Sequence, residues 1–165
     1  MATFEIREPL LTDAEWITQA CQDTEVQRWT LVPRPYKREH ALEFINNTIN
    51  ESHLWVIEQQ ETNEPVGVVS IHTIDLDTGD ADVGYWIAPW GRRRGAAVYA
   101  LNLVEQFART IPTIKFLSAH IAETNAASRA TASRAGFINM GSSAESCPDG
   151  DNQVPALNYV KQLTT

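Results

Sequence analysis

The stretch from Val83 to Val104, VGYWIAPWGRRRGAAVYALNLV, constrains this chain more than any other. Val83, Tyr85 and Ile87 alternate as in a strand, Pro89-Trp90-Gly91 forces a turn, and three arginines lead through Gly95 into an alanine-rich run of helical period. A helix start leaves backbone N–H groups unpaired and carries partial positive charge, so a strand, basic turn and helix in this order make a seat for an anion such as a diphosphate. Arg92, Arg93 and Arg94 add full charges there, and Gly95, Ala96 and Ala97 keep side-chain bulk away from the backbone. On its own, an Arg-Arg-Arg run is equally a solvated surface patch.

The residues beyond this turn limit the topology. Ala97, Leu101, Val104, Ala108 and Ile111 mark one helix face, Pro112 stops the helix, and residues 114–122 read as a strand. Residues 82–88, the helix and residues 114–122 therefore form a βαβ unit with parallel strands, whose ligand belongs at the strands' carboxyl ends. Asn125 is a natural N-cap for the next helix, with Ser128 three residues on and Gly136 as its left-handed end.

Upstream, residues 4–8 read as a strand closed by Pro9. Thr12-Asp13-Ala14-Glu15 has the spacing of a capping box, opening a helix to about residue 23 that buries Trp16, Ile17, Ala20 and Cys21. Residues 27–35 read as irregular, and Ala41, Leu42, Ile45 and Ile49 place a helix over about 37–50. This loop and helix wall an acceptor pocket, or Trp29, Pro33 and Tyr36 merely cover the core. Residues 54–59, 66–74 and 82–88 form an antiparallel meander, with Gly84 inviting a bulge or a close contact. Residues 137–140 start a further strand, 142–153 read as an exposed loop, and 154–162 form the last strand.

The 165 residues, 43% of them hydrophobic and without a break in composition, predict a single domain over 1–165. No apolar run approaches the ~20 residues that cross a bilayer, and MATFEIREPL lacks the apolar core of a signal peptide, so a cytoplasmic chain with no membrane partner is expected. A net charge of −8 argues against nucleic acid as a partner. Cys21 and Cys147 are far apart with no CxxC, which fits reduced thiols and no metal site.

The basic turn, the preceding Gly84-Tyr-Trp-Ile87 with Pro89, and the later Asn125-Ala-Ala-Ser128 with Gly136-Phe137 are three blocks in an order and spacing that resembles the GNAT superfamily of acetyl-CoA-dependent N-acetyltransferases, most of all its RimJ/RimL type. Arg92, Gly95 and Ala97 occupy that family's Gln/Arg-x-x-Gly-x-Gly/Ala positions. The resemblance covers nearly the whole chain. It implies an α/β (α+β) fold with a mixed, mostly antiparallel six- to seven-stranded sheet, a parallel βαβ centre and about four flanking helices. It also implies acetyl-CoA as cosubstrate, backbone groups near Ile87 and Ala88 pairing with pantetheine amides, N–H groups from Arg92 to Ala97 holding the pyrophosphate, and Asn125 and Ser128 beside the thioester. Many members carry a tyrosine seven residues after the asparagine as the acid for the leaving thiolate; here that position is Ala132, and in the RimJ/RimL type the serine matching Ser128 is the proposed acid. Val98-Tyr99 replaces a usual Thr-Glu, and Arg93 stands where glycine is common.

Acetyl transfer from a thioester to an amine needs a neutral nucleophile held in line, donors for the oxyanion, and routes for two protons. Asp82 and Glu123 are the candidate acceptors of the ammonium proton through water, each also readable as a solvated carboxylate. His72 and His120 read as packed or exposed residues. The expected partner is an amine acceptor, a protein N-terminal amine or a small cationic amine, with a homodimer left open. Two other readings stand beside this one: a non-catalytic acyl-CoA-binding sensor or partner module, and a thiol enzyme using Cys147, disfavoured because Glu145, Asp149 and Asp151 would raise its pKa.

Overall fold

Alternation of apolar residues along the strands sets the architecture of the computed structural model, which describes residues 2–47 and 51–163. Strands β1 (Phe4–Arg7), β2 (His53–Gln59), β3 (Glu64–Asp75), β4 (Asp80–Ile87), β5 (Phe116–Ala122), β6 (Ile138–Asp149) and β7 (Asn152–Gln162) form one seven-stranded sheet in the order β1-β2-β3-β4-β5-β7-β6. Every neighbouring pair is antiparallel except β4 and β5, which run parallel across helix α4 (Ala96–Ala108). Helices α1 (Ala14–Ala20), α2 (Thr24–Trp29), α3 (Arg38–Asn46) and α5 (Ala126–Arg134) complete the set among the described residues. None of these helices is long and apolar enough to cross a membrane.

Successive side chains of a strand point to opposite faces, and here the two faces carry separate cores. Val83 of β4, Leu117, Ala119 and Ile121 of β5 and Tyr159 of β7 pack with Ala100, Leu101 and Val104 of α4 and Ala132 of α5. Trp86 of β4 packs on the opposite core, made by Ile17, Cys21, Val26, Tyr36, Ala41 and Ile45 from α1 to α3. The odd residues of β4 thus look toward α4 and α5, and the even ones toward α1, α2 and α3.

The parallel junction is short. β4 pairs with β5 only through Asp80–Phe116, Ala81–Leu117 and Asp82–Ser118, while β3 follows β4 to Ile87 and β7 follows β5 to Ala122. Beyond Asp82 the two strands part and leave a gap at their carboxyl ends.

Three sequence expectations change. The expected irregular stretch from residue 27 begins inside α2, because Asp23 caps that helix by accepting from Glu25 N and Val26 N, each at 3.1 Å. Residues 142–153 are a hairpin of β6 and β7 turning at Gly150 (φ +64°); β6 is an edge strand with two register shifts and one solvated face, so its polar composition imitates a loop. The Thr12–Glu15 capping box does not form: Glu15 pairs with Arg38 at 2.8 Å, and Asp13 accepts from Leu10 N and Trp16 Nε1, both at 2.7 Å. The helix expected over 37–50 is α3, and the Ile49 position lies outside the described residues.

Asp13 holds the amino-terminal helices to the sheet. Only 3% exposed, it takes a bidentate contact from Arg7 of β1 (2.8 and 2.9 Å) while Trp16 leans on Trp86 and Trp90 at ring distances of 5.8 and 6.4 Å. Burial raises the Asp13 pKa, but the Arg7 guanidinium, Leu10 N–H and Trp16 N–H outweigh it and hold the carboxyl below its ordinary value. A depressed carboxyl pKa stabilises the fold above the unfolded-state pKa, and that contribution is lost as pH falls through the folded-state one. Asp13→Asn should therefore cost about 3 kcal/mol at pH 7, the scale for breaking a buried ion pair. Melting should fall by about 6–12 °C at that pH. The difference from the parent should shrink as thermal melts are repeated below about pH 4.

Candidate active site

The gap between β4 and β5 opens into a cleft of about 1320 Å³ that runs from the start of α4, past Tyr85 and Ser128, to a wall formed by α2, α3 and β6. Antiparallel pairing alternates which residues spend their backbone groups on a neighbour. Ala88 N–H bonds to Val66 O at 2.8 Å and Ala88 O accepts from Gly91 N at 2.9 Å, so counting back along β4 turns Trp86 and Gly84 toward β3. The backbone of Ile87 and Tyr85 then faces the gap. Ala88, expected to offer backbone groups, has both in hydrogen bonds, and the backbone of Tyr85 faces the gap instead.

At the head of the cleft the chain makes a 3₁₀ turn, Pro89–Gly91, and then the arginine bend. Gly91 permits the turn to press on β3, since a Cβ there would come within 2.6 Å of Val66 Cβ. The three arginines differ. Arg92 pairs with Asp23 at the cap of α2, and burial of Asp23 is outweighed by Arg92 and the capping amides so that its pKa stays low. Arg94 reaches Gln59 Oε1 at 2.7 Å and Glu64 Oε1 at 3.1 Å. Arg93 is exposed and holds φ +62°, a left-handed conformation that favours glycine. Two of the three guanidiniums that the sequence places beside an anion therefore also fix the bend to neighbouring elements.

Gly95 caps α4 with φ +76°, and a Cβ built on it would meet nothing within 4 Å. Tyr99 N–H is the first to close onto the helix, to Gly95 O at 3.0 Å, which leaves the N–H groups of Ala96, Ala97 and Val98 without intrahelical acceptors. Ala96 and Ala97 are themselves buried against the core, so their small size serves packing as well as access. Tyr99 packs edge-on against Phe4 at 5.7 Å, a structural use for one of the residues that departs from the family pattern.

Across the gap Asn125 caps α5, its Oδ1 accepting from Ser128 N at 3.2 Å. Ser128 Oγ lies 2.9 Å from the hydroxyl of Tyr85, and that hydroxyl donates within 3.1 Å of Ser128 O. Burial pushes the Tyr85 phenol up to about 12. Ala132 is 1% exposed and packed in the α4/α5 core, so the helix position that carries a tyrosine in many relatives is a packing site here. The sequence reads Tyr85 as an apolar strand residue inside the Gly84–Ile87 block and gives its hydroxyl no role. The available signal was that a tyrosine on a half-buried strand needs a partner for its hydroxyl.

The other face of the gap is acidic. Asp82 Oδ1 is 4.0 Å from His120 Nε2, and His120 Nδ1 lies 2.8 Å from Ser143 Oγ and 3.9 Å from Glu145 Oε2. His72 occupies a bulge in β3 directly over Gly84, where a Cβ would approach its Nε2 to 2.2 Å, and its Nδ1 meets Glu51 Oε2 at 2.5 Å. Burial raises the Asp82 pKa against the opposing pull of His72 and His120, and Glu145 and Asp80 add to the rise. Glu123, the other candidate proton acceptor, does follow the end of β5, but it is exposed on the β5–α5 turn and does not line the cleft. Cys147 belongs to β6 rather than to a loop; its Sγ faces His120 O at 3.4 Å, and burial with Glu145 and Asp82 raises its pKa, which disfavours thiolate chemistry.

The hairpin tip, next to the cleft residues Cys147 and Pro148, is tied to α2 and to the β5–α5 turn. Asp149 takes Arg28 of α2 at 2.8 Å and Thr124 Oγ1 at 2.7 Å, and Gly150 N donates to Arg28 O at 2.8 Å.

Comparison with known proteins agrees with this architecture. No curated protein sequence matches the chain significantly. Among solved structures, the microcin self-immunity acetyltransferase MccE in complex with acetyl-CoA and AMP superposes with a TM-score of 0.85 at 21% identity, over 97% of this chain and 92% of that one. RimL, a ribosomal alpha-N-protein acetyltransferase in complex with coenzyme A, gives 0.83 at 22% identity over 98% and 94%. Spermidine N-acetyltransferase from Vibrio cholerae in complex with CoA and spermine gives 0.79 at 19% over 98% and 96%. At these identities the likeness speaks for the fold. Residues 4–138 match the acetyltransferase (GNAT) domain family, and the chain belongs to that family.

Proposed function

We propose that this protein transfers an acetyl group from acetyl-CoA to a primary amine by direct attack in a ternary complex. The observation that carries the reading is the parted β4–β5 junction, which exposes strand backbone between an unpaired helix start and a serine–tyrosine hydroxyl pair. Acetyl-CoA supplies an acyl carbon activated as a thioester. The residues present fit such a ligand: open space at Gly95 and the free N–H groups of Ala96, Ala97 and Val98 suit a pyrophosphate, with Arg93 beside them. Backbone groups of Tyr85 and Ile87 would take the pantetheine amides as an added strand would. Asn125 and Ser128 would flank the thioester, with Ser128 protonating the departing sulfur.

The amine side falls to Asp82. Its carboxylate, among His72, His120, Glu145 and Asp80, attracts an ammonium group and can take its proton through water. The 4.0 Å between Asp82 Oδ1 and His120 Nε2 is too long for a direct hydrogen bond and suits a shared third atom. A cleft of about 1320 Å³ exceeds the ~300–1,000 Å³ of a single small-molecule pocket, which favours two substrates held together. The acceptor class this supports is a cationic amine, a protein N-terminal amine or a small amine. A thermal shift with acetyl-CoA tests the first half: at a hundredfold over Kd it stabilises by about 2.7 kcal/mol. Release of free CoA with a panel of amines tests the second; binding without release leaves an acyl-CoA-binding module.

Two variants read the site separately. Arg93→Gly removes a left-handed strain of ~1–2 kcal/mol and loses ~0.4–1 kcal/mol through the freer unfolded chain, so melting should hold or rise, by at most about 6 °C. The same change deletes a charge-assisted contact to the diphosphate, and calorimetry should find acetyl-CoA binding at least ~10-fold weaker. Unchanged affinity removes Arg93 from the anion seat. Asp82→Asn should lower kcat/KM at pH 7 by ~100-fold and abolish the acid limb of its pH profile. In the parent that limb should lie above the ordinary carboxylate range, because burial raises the Asp82 pKa.

A further inference from the structure

A serine hydroxyl is a poor acid for a thiolate. An aliphatic alcohol holds its proton far more tightly than a thiol, so Ser128 acting alone would finish as an alkoxide. The Tyr85 contact changes this arithmetic. A phenol has one proton, and two acceptors lie within its reach, Ser128 O at 3.1 Å and Ser128 Oγ at 2.9 Å. When that proton points to the carbonyl, Ser128 must donate to Tyr85 and its own proton is tied up. When it points to Oγ, the serine proton is free to face the cleft.

We propose that Tyr85 is the proton reservoir behind Ser128, the two hydroxyls forming a relay across the β4–β5 gap. The inference rests on the proposed role of Ser128 as acid. As the amine nitrogen bonds to the acyl carbon and the carbon–sulfur bond breaks, the bonding pair leaves with sulfur. Ser128 Oγ–H passes its proton to sulfur, and Tyr85 Oη–H passes its own to Ser128 Oγ. The negative charge ends on a phenolate; even with its pKa pushed up to about 12 by burial, the phenol is a stronger acid than an aliphatic alcohol, so the charge rests better there than on an alkoxide. Water in the cleft then reprotonates Tyr85, while the proton lost by the amine leaves on the opposite face through Asp82. Support for the assignment comes from the contact itself, 2.9 Å between the two hydroxyls, while burial keeps the phenol protonated through the neutral range and makes it a weaker acid than a free tyrosine. The position of the relay also fits the packing of Ala132: with that helix site used in the core, the phenol comes from strand β4.

A double-mutant cycle tests the relay, with Tyr85→Phe, Ser128→Ala and the double variant assayed for kcat and, by calorimetry, for acetyl-CoA Kd. Each single change should lower kcat ~10- to 100-fold and leave Kd within about twofold, and the double variant should be no slower than Ser128→Ala. In the unliganded protein, the 13C resonance of Tyr85 Cζ should move on Ser128→Ala, reporting the hydrogen bond without turnover. A fully active Tyr85→Phe, or losses that multiply in the double variant, overturns the relay while leaving Ser128 as acid. A fully active Ser128→Ala with a slow Tyr85→Phe also overturns it, because the phenol then meets sulfur directly. Both singles fully active would instead remove the proposed role of Ser128 itself. Should Tyr85→Phe fail to fold, 3-fluorotyrosine at position 85 keeps the shape and acidifies the phenol; kcat unresponsive to that change overturns the relay.

Discussion

The parting of β4 from β5 after Asp82 and Ser118 is the constraint on which the rest of this molecule depends. Each strand keeps its outer neighbour to its end, so the gap is a local failure of one ladder in an otherwise continuous sheet. The closed end is held by Ser118 Oγ donating to Asp80 at 2.9 Å, and the open end is spanned by Tyr85 reaching Ser128. Backbone groups that face an unfilled sheet edge are costly unless something pairs with them. A gap of this kind is therefore a polar groove inside an apolar wall, suited to a ligand that carries amides along its length.

Because β4 alternates its side chains, the same gap has two chemically different faces. Tyr85 and Ser128 meet on the α4/α5 face, where burial holds a phenol protonated. Asp82, His72 and His120 meet on the α1–α3 face, among carboxylates. A reaction that must remove one proton and deliver another needs two environments of opposite character, and a single strand supplies both because Asp82 and Tyr85, an odd number of residues apart, point to opposite sides. The proposed acid and base are kept apart by the sheet and connected only through the gap.

Local signals made the centre of this fold legible. Pro89, Gly95, the periodicity of Ala97 to Ile111 and the Asn125 cap each act within a few residues of the structure they specify. The hairpin at residues 142–153 was hidden because an edge strand with a solvated face and two bulges has the composition of a loop. Helix α2, six residues long, leaves little periodicity to read. Side-chain partnerships were out of reach for another reason: Arg92 and Asp23 are 69 residues apart, Arg94 and Glu64 are 30 apart, and Tyr85 and Ser128 are 43 apart. Contacts at such separations are made by the sheet order, which no local pattern encodes. The strain at Arg93 was visible only through the glycine that relatives place there.

The division of labour among the three arginines bears on how an acidic chain could hold an anionic ligand. With a net charge of −8, the protein as a whole repels a diphosphate and attracts an ammonium group. The bend answers this locally: Arg92 and Arg94 spend their charge on Asp23 and Glu64 and so fix the loop, and the helix start presents N–H groups that are already oriented. Arg93 pairs with no carboxylate among the described residues and holds its exposed guanidinium on a backbone conformation it would not choose, the kind of strain that ligand-binding loops commonly store. The other end of the cleft keeps the acidity of the chain, with Asp82 and Glu145 around His120. One end thus favours an anion and the other a cation, so an anionic donor and a cationic acceptor would be drawn in from opposite sides and meet where the strands part.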